Sequence, residues 1–384
     1  MTKRDQEFMA LALQLAKKGL YTTSPNPRVG CVLVKDNEII GQGFHLKAGQ
    51  GHAEVNALAD AKQRGHQTKG ATAYVTLEPC SHFGRTAPCA QALIHAQVSR
   101  VVGAMTDPNP EVAGNGFNML RAAGIEVVDN CLASEAAKLN PGFIKRMRLA
   151  ANDQAAALPY VRLKMATSLD GRTAMQSGES QWITGPEARA EVQRIRAQSC
   201  AIICGADTVL IDDPAMNVRI KTETSEGILV DSRQPLRVII DSQHRVKASA
   251  NIFTHEGKVM IVSPTKAEPA IVSDLCEVSY LQTQARSSSA NPHIDLTELL
   301  QALASQGINE VLVETGAKLA GAFIAQGLVD ELILFTAPTL LGSDARPAFT
   351  LPFANMDQQI RWAWQDVRMV GNDLKLVLKS QDSA

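Results

Sequence analysis

Aromatic residues make up only 4 % of this 384-residue chain, and neither sign of charge is in excess, with 38 Lys and Arg against 39 Asp and Glu. A protein that grips a polyanion needs a basic stripe, and one that holds single strands needs aromatic stacking platforms. Both are missing, so no nucleic acid is expected as a partner, although a small phosphorylated molecule needs only a local cluster of cations. No apolar run approaches the ~20 residues that span a bilayer. The opening stretch mixes Lys3, Arg4, Asp5 and Glu7 and does not lead into an apolar signal segment. The seven cysteines (31, 80, 89, 131, 200, 204 and 276) are odd in number and scattered, which speaks against a disulfide framework and for a reducing compartment. The expectation is a cytoplasmic protein with no membrane partner. The G-x-G-x-x-G fingerprint occurs nowhere, so a Rossmann dinucleotide site has no support.

What is present is a well-filled globular composition, 45 % hydrophobic and 20 % charged, at a length that suits two domains. An apolar stripe at helical spacing runs over 4–19. Strand patterns at 29–34 and 38–44 flank the turn Lys35-Asp36-Asn37. Helices are expected at 53–64, from Cys89 and at 116–123, and strands at 71–77, 98–103 and 125–128. Strands alternating with helices predict an α/β/α sandwich on a mixed sheet. The Ala-rich stretch 152–159 reads as a seam, giving domains 1–151 and 159–384. Beyond it strands are expected at 160–165, 200–204, 236–240, 258–262, 310–314 and 331–335, with helices at 186–197, 296–305 and 318–326. The polar stretch 264–292 reads as a surface loop.

The first half carries His52-Ala53-Glu54 at a helix start, then Glu78-Pro79-Cys80 and, after eight intervening residues, Cys89. One imidazole and two thiolates supply three zinc ligands and leave a fourth tetrahedral position open, the layout of a catalytic zinc and not of a closed structural one. Glu54 is not needed as a ligand and stands where it can move a proton between water and a leaving amine. A helix opening at Cys89 would help hold both sulfurs as thiolates. The H-x-E…P-C-x-x-C signature belongs to zinc deaminases of nucleobases. The eight-residue spacer here is longer than the usual two.

With that spacer, the first half resembles one branch, the bifunctional deaminase-reductase family of riboflavin biosynthesis. The likeness rests on Ser24–Gly30, Gly41–His45, His52–Glu54, Glu78–Cys89, Asp107–Pro110 and Gly114–Gly116. The resemblance implies a cytidine-deaminase-like domain that hydrolytically deaminates a ribosylaminopyrimidine 5′-phosphate. One Zn2+ would sit on His52, Cys80 and Cys89, with Glu54 as proton shuttle. Asn26 and His45 would face the pyrimidine. His82, Arg85 and Thr86, inside the long spacer, offer donors suited to the phosphate.

The second half carries Glu314-Thr315-Gly316-Ala317-Lys318-Leu319-Ala320-Gly321 between a strand and a helix, where a helix N-terminus can meet a diphosphate. It resembles the reductase part of the same family through Ala166–Arg172, Gly178–Thr184, Asp212–Pro214, Asp241-Ser242 and Leu341–Arg346. The implied fold is dihydrofolate-reductase-like α/β, and the implied cofactor is NADPH. By this likeness Ala166, Trp182, Thr208, Asp212, Ser242 and Gly316, Ala317, Lys318, Leu319, Ala320, Gly321 and Ala322 contact the cofactor. Ser180, Arg196, Met216, Arg219 and Glu314 hold substrate. Arg196 and Arg219 are expected as a guanidinium clamp on the phosphate. Ser242, His244 and Arg245 lie where the 2′-phosphate would be read, although the acidic Asp241 beside them is out of keeping with an NADPH preference. The family also implies a homodimer or higher homo-oligomer through the reductase domain.

Overall fold

A computed structural model describes residues 1–81, 88–110, 112–223, 229–231, 233–266, 270–284 and 294–381. Two compact units divide the chain. One comprises Met1–Leu158 with Thr222–Val230, the other Pro159–Lys221 and Asp231–Ala384.

The first unit begins with α1 (Lys3–Lys18), whose start is fixed by a reciprocal cap. The Thr2 hydroxyl accepts from the Asp5 amide at 3.2 Å, and the Asp5 carboxylate accepts from the Thr2 amide at 2.7 Å. Strands β1 (Gly30–Lys35) and β2 (Glu38–Phe44) form a hairpin. Its two turn residues, Asp36 and Asn37, take φ of 52° and 65°, the left-handed conformation that these short polar side chains tolerate. Then follow α2 (Ala53–Gln63), β3 (Thr72–Val75), α3 (Cys89–His95), β4 (Arg100–Gly103), α4 (Asn115–Ala122), β5 (Glu126–Val128), α5 (Ala133–Leu139) and α6 (Pro141–Asn152). The sheet order is β2-β1-β3-β4-β5, with β1 antiparallel to both neighbours and β3, β4 and β5 parallel.

Strand β1 shows why this becomes three layers. Val32 and Val34 point to one face, where Met9, Ala12 and Ala16 of α1 and Phe143 of α6 bury them. Cys31 and Leu33 point to the other, against Ala53, Ala57 and Ala61 of α2, Leu93 of α3 and Phe117 of α4. The period of two along the strand thus feeds two cores. The approach of α2 to β2 is set by glycine. A β-carbon at Gly43 would lie 2.4 Å from both the Ala53 carbonyl oxygen and the Ala57 nitrogen, and one at Gly41 2.4 Å from the Ala57 carbonyl oxygen.

The second unit runs β6 (Tyr160–Ser168), β7 (Arg172–Ala174), α7 (Pro186–Gln198), β8 (Ala201–Gly205), α8 (Ala206–Asp212), β11 (Leu236–Ile240), β12 (Lys258–Ser263), β13 (Glu277–Gln282), α9 (Leu296–Ser305), β14 (Glu310–Glu314), α10 (Ala317–Ala325), β15 (Glu331–Ala337), β16 (Arg346–Pro347), β17 (Trp362–Val370) and β18 (Asp373–Ser380), while β9 (Lys221–Glu223) and β10 (Leu229–Asp231), between α8 and β11, fall mostly in the Thr222–Val230 stretch of the first unit. Its main sheet has nine strands in the order β13-β12-β11-β8-β14-β6-β15-β18-β17, parallel as far as β15 and closed by the antiparallel pair β18-β17. One face packs Ile202, Cys204, Ile239, Leu312 and Phe335 against Val192 and Ile195 of α7.

Two charge clusters, one buried and one at the surface, tie this unit together. Arg162 donates to Glu310 and Glu331 from within the sheet. Glu191 of α7 accepts from Lys375 at 2.7 Å, Arg194 at 2.8 Å and Arg368 at 3.1 Å. Burial alone would raise the Glu191 carboxyl, but the hydrogen bonds from Lys375 and Arg194 outweigh it and hold it at about 2.

The expected loop at 264–292 needs correction, because β13 lies inside it. That strand is the sheet edge and alternates only weakly between exposed and half-buried residues, so its sequence looks like loop. Helices α5 and α6 and the closing pair β17-β18 also went unpredicted. No helix among the described residues is long and apolar enough to cross a membrane.

Candidate active sites

In the first unit His52 is the residue that caps α2, Glu54 lies in that helix's first turn, Cys80 follows β3 and Cys89 opens α3. The ligand atoms of His52, Cys80 and Cys89 all fall within 4.8 Å of one another. Nδ1 of His52 is 3.2 Å from Sγ of Cys89 and 3.6 Å from Sγ of Cys80. Tetrahedral zinc with bonds of about 2.3 Å to sulfur and about 2.1 Å to nitrogen holds such atoms roughly 3.5 Å apart, so the three donors fit that metal.

The electrostatics divide the roles. The hydrogen bond from the Cys89 thiol pulls the Cys80 thiol down to about 4 against the opposing effect of burial, and pushes Cys89 itself up. The Cys89 amide, at the start of α3, also donates to Cys80 Sγ at 3.3 Å. The hydrogen bond with Cys80 raises His52. Glu54 is only 3 % exposed; its burial first, then the Cys80 charge, lifts its carboxyl to about 7.

His45 is buried with its Nδ1 3.1 Å from the Gly51 carbonyl, which can only accept, so Nδ1 carries the proton. Nε2 is then an acceptor for the Asn26 amide at 3.0 Å. Burial lowers His45, which keeps the ring neutral, and its edge meets the His52 ring at a centroid distance of 5.1 Å. Asn26 and His45 therefore stand beside the ligand triad. His82, Arg85 and Thr86 lie outside the described residues.

Glu78 was part of the recognised motif without a role, and the structure supplies one. Its Oε2 accepts from the amides of Asp107 (3.0 Å) and Gly114 (2.9 Å), and its Oε1 from those of Gly116 (2.8 Å) and Phe117 (3.2 Å).

In the second unit the expected residues gather at the carboxyl ends of parallel strands: Ala166 on β6, Thr208 and Asp212 after β8, Ser242 after β11, and Glu314 and Gly316 at the end of β14. Open parallel sheets bind ligands there. The Ser180 hydroxyl donates to Asp212 at 3.3 Å. Trp182 is 69 % exposed, with the Arg189 guanidinium 4.5 Å from its ring centre, so it is not a core aromatic.

Three expectations change in detail. Arg196 does not pair with Arg219 as an open clamp, because its fork is filled by Glu314 at 2.6 and 3.0 Å, with Lys164 3.9 Å from the same carboxylate. Arg219 is exposed and donates to the Asn217 side chain. Met216 is buried in the core under Arg196, its sulfur 3.6 Å from Nη2, so its side chain supports that residue instead of facing outward. Of the segment 316–322, Gly316 and Lys318 are exposed, while Ala320 is fully buried. A β-carbon at Gly321 would sit 2.0 Å from the Thr350 carbonyl oxygen, so this glycine serves close chain packing. Asp241 is 2 % exposed and its carboxylate accepts from the Arg245 and Val246 amides, so it turns inward. His244 Nε2 lies 2.9 Å from the Thr265 hydroxyl and 3.1 Å from that of Ser263, while Arg245 pairs with Asp207. Lys164 went unnoticed in the sequence, and Asp170 stood in the Ala166–Arg172 motif without a role. Asp170 accepts from the Ser168 hydroxyl and from the Leu341 and Gly342 amides, which joins the Ala166–Arg172 and Leu341–Arg346 motifs.

A histidine and two cysteines arranged to hold a metal ion with a buried glutamate beside them, followed by a unit built on a largely parallel sheet, is the plan of a metal-dependent deaminase joined to a reductase. Residues 2–105 match the model of the cytidine and deoxycytidylate deaminase zinc-binding region, and residues 159–376 that of the RibD C-terminal domain. The riboflavin biosynthesis protein RibD of Haemophilus influenzae is 48 % identical over 98 % of this chain and 97 % of its own; that of Escherichia coli is 48 % identical over 98 % and 99 %. Among solved structures, Acinetobacter baumannii RibD superimposes with a TM-score of 0.87 at 49 % identity over 99 % of both chains. A diaminohydroxyphosphoribosylaminopyrimidine deaminase/5-amino-6-(5-phosphoribosylamino)uracil reductase from Thermotoga maritima gives 0.83 at 31 % identity over 98 % of both. The chain belongs to the RibD family of bifunctional riboflavin-biosynthesis enzymes, which join a zinc-dependent deaminase of cytidine-deaminase-like fold to an NADPH-dependent reductase of dihydrofolate-reductase-like fold.

Proposed function

We propose that residues 1–151 hydrolytically deaminate the diaminopyrimidinone ribosylamino 5′-phosphate, and that residues 159–384 reduce the ribosyl group of the resulting 5-amino-6-(5-phosphoribosylamino)uracil to ribityl. The observation that carries this reading is the convergence of His52, Cys80 and Cys89 with the buried Glu54 beside them. Those three residues would hold one zinc ion, which supplies Lewis-acid activation of the attacking water. Glu54 takes a proton from that water and returns it to the departing amine. His45, kept neutral and oriented by Gly51, and Asn26, tied to His45, present fixed polar groups to the pyrimidine edge. His82, Arg85 and Thr86 hold the phosphate.

In the second unit NADPH supplies the hydride, and the chain's task is placement. Ala166, Trp182, Thr208, Asp212, Ser242 and the start of α10 at Gly316–Leu319 line the cofactor, with Ala320, Gly321 and Ala322 supporting them. With Asp241 turned inward, Ser242, His244 and Arg245 are the side chains left to meet a 2′-phosphate. Ser180 and Arg219 reach the substrate directly, while Glu314 and Met216 fix Arg196 beneath it. The chain works in the cytoplasm, in keeping with seven cysteines that are odd in number and scattered along the sequence. It associates with itself through the second unit, where Trp364, Val367 and Met369 stand exposed on the edge strand β17. Sedimentation of the full chain at a monomer mass would overturn that last point.

A coupled assay tests the whole. Zinc-loaded protein given the diaminopyrimidinone substrate should release ammonia without NADPH, and should oxidise NADPH once it is added. Ammonia with no NADPH oxidation would retain the deaminase and overturn the reductase assignment. Neither signal from folded, zinc-loaded protein would overturn both.

A further inference from the structure

We infer that Glu78 is a positioning residue for the metal site, fixing Cys80 by binding backbone amides as an anion; this rests on the zinc-deaminase reading above. Glu78 is 3 % exposed, and its carboxylate faces the four amides of Asp107, Gly114, Gly116 and Phe117. Gly116 and Phe117 belong to the first turn of α4, whose amides have no partner within the helix. Glu78 therefore caps α4 from outside the helix and draws Asp107, Gly114, Gly116 and Phe117 onto the stretch that carries Cys80.

The clamp closes on Pro79 and Cys80 from both sides. A β-carbon on Gly116 would lie 1.9 Å from the Pro79 carbonyl oxygen, so α4 rests on that peptide with no side chain between them. The Cys80 carbonyl accepts from the Ala90 amide at 3.2 Å, and the Glu78 amide donates to Met105 at 2.9 Å. The Cys80 carbonyl and sulfur are thus both held by backbone amides, those of Ala90 and Cys89. A shift in Pro79 would move the Cys80 backbone next to it and strain those two contacts.

Both carboxylate oxygens are needed, since each accepts two amides. Glu78→Gln replaces one oxygen by an NH2 that points at two N–H donors. Outer contacts of a metal site typically govern affinity or activity by 10- to 100-fold. The test compares the full chain with Glu78→Gln and with Gly116→Ala, which pushes on Pro79 from the other side. Cobalt(II) is loaded in place of zinc and its visible spectrum recorded, zinc affinity is measured by competition with a chelator, and reduction of the preformed uracil substrate reports the rest of the fold.

The expected result is a changed cobalt spectrum and at least a tenfold weaker zinc affinity in both variants, with reduction unchanged. Wild-type spectra and affinities in both would overturn the inference, as would loss of reduction along with the metal site in both, which would make Glu78 a residue of the global fold. Failure of the unsubstituted protein to bind one metal ion would instead overturn the zinc reading itself.

Discussion

In the first unit three chemical side chains, His52, Cys80 and Cys89, meet within hydrogen-bonding distance on three neighbouring elements, with the buried Glu54 beside them. In the second, the candidates are spread along the ends of β6, β8, β11 and β14, and several of them are exposed. The contrast follows from what each reaction asks of the chain. Hydrolysis at a metal needs specified atoms at specified distances. Hydride transfer takes its reactive atom from the cofactor and asks for a shaped surface.

This contrast predicts that single changes act on one activity at a time. Glu54→Ala should have the largest effect, lowering ammonia release by ~10³-fold or more with NADPH oxidation on preformed substrate unchanged, as two separate assays would read. Equal loss of both from a folded variant would erase the distinction. Next comes Glu314→Gln, which leaves the Arg196 guanidinium buried without its bidentate partner. Reduction should fall ~10²-fold through misplacement of the substrate groups, while deamination persists.

Gly43→Ala should lower the unfolding free energy of the first unit by roughly 1–3 kcal/mol, seen as an earlier urea or thermal transition. A smaller change is expected for Trp182→Ala. Its ring is already in water, so stability should stay within ~0.5 kcal/mol while the KM for NADPH rises. An unchanged KM would remove Trp182 from the cofactor surface.

The smallest effect concerns acid. The Glu191 carboxyl is held at about 2 in the folded chain against an ordinary value of 4.5. Its stabilisation is complete above the ordinary value and is lost as the pH falls towards 2. Glu191→Gln should therefore lower stability at neutral pH, leave it little changed near pH 2, and so flatten the acid limb of stability measured against pH.

The same contrast governs how much could be read from sequence. The triad and Glu54 were legible because metal chemistry restricts residue type, and α1, α2 and β14 were legible because their apolar periodicity is strong. Glu78 escaped because its partners are amides, which every residue possesses. The inward turn of Asp241 and the commitment of Arg196 to Glu314 escaped because a charged side chain in a sequence carries no sign of its direction. Strand β13 escaped because an edge strand wetted on both sides has no alternation to show.

The seam between β2 and α2 has a consequence for variation. Glycine at 41 and 43 faces alanine at 53, 57 and 61, so both surfaces already carry the smallest side chains that suit their conformations. Enlargement on one side cannot be answered by reduction on the other, and neutral drift has no stepwise path through these five positions. The spaced pattern of two glycines and three alanines around His52 and Glu54 should therefore serve as a search signature for chains that keep this helix at this distance, even where the cysteine spacer has changed length.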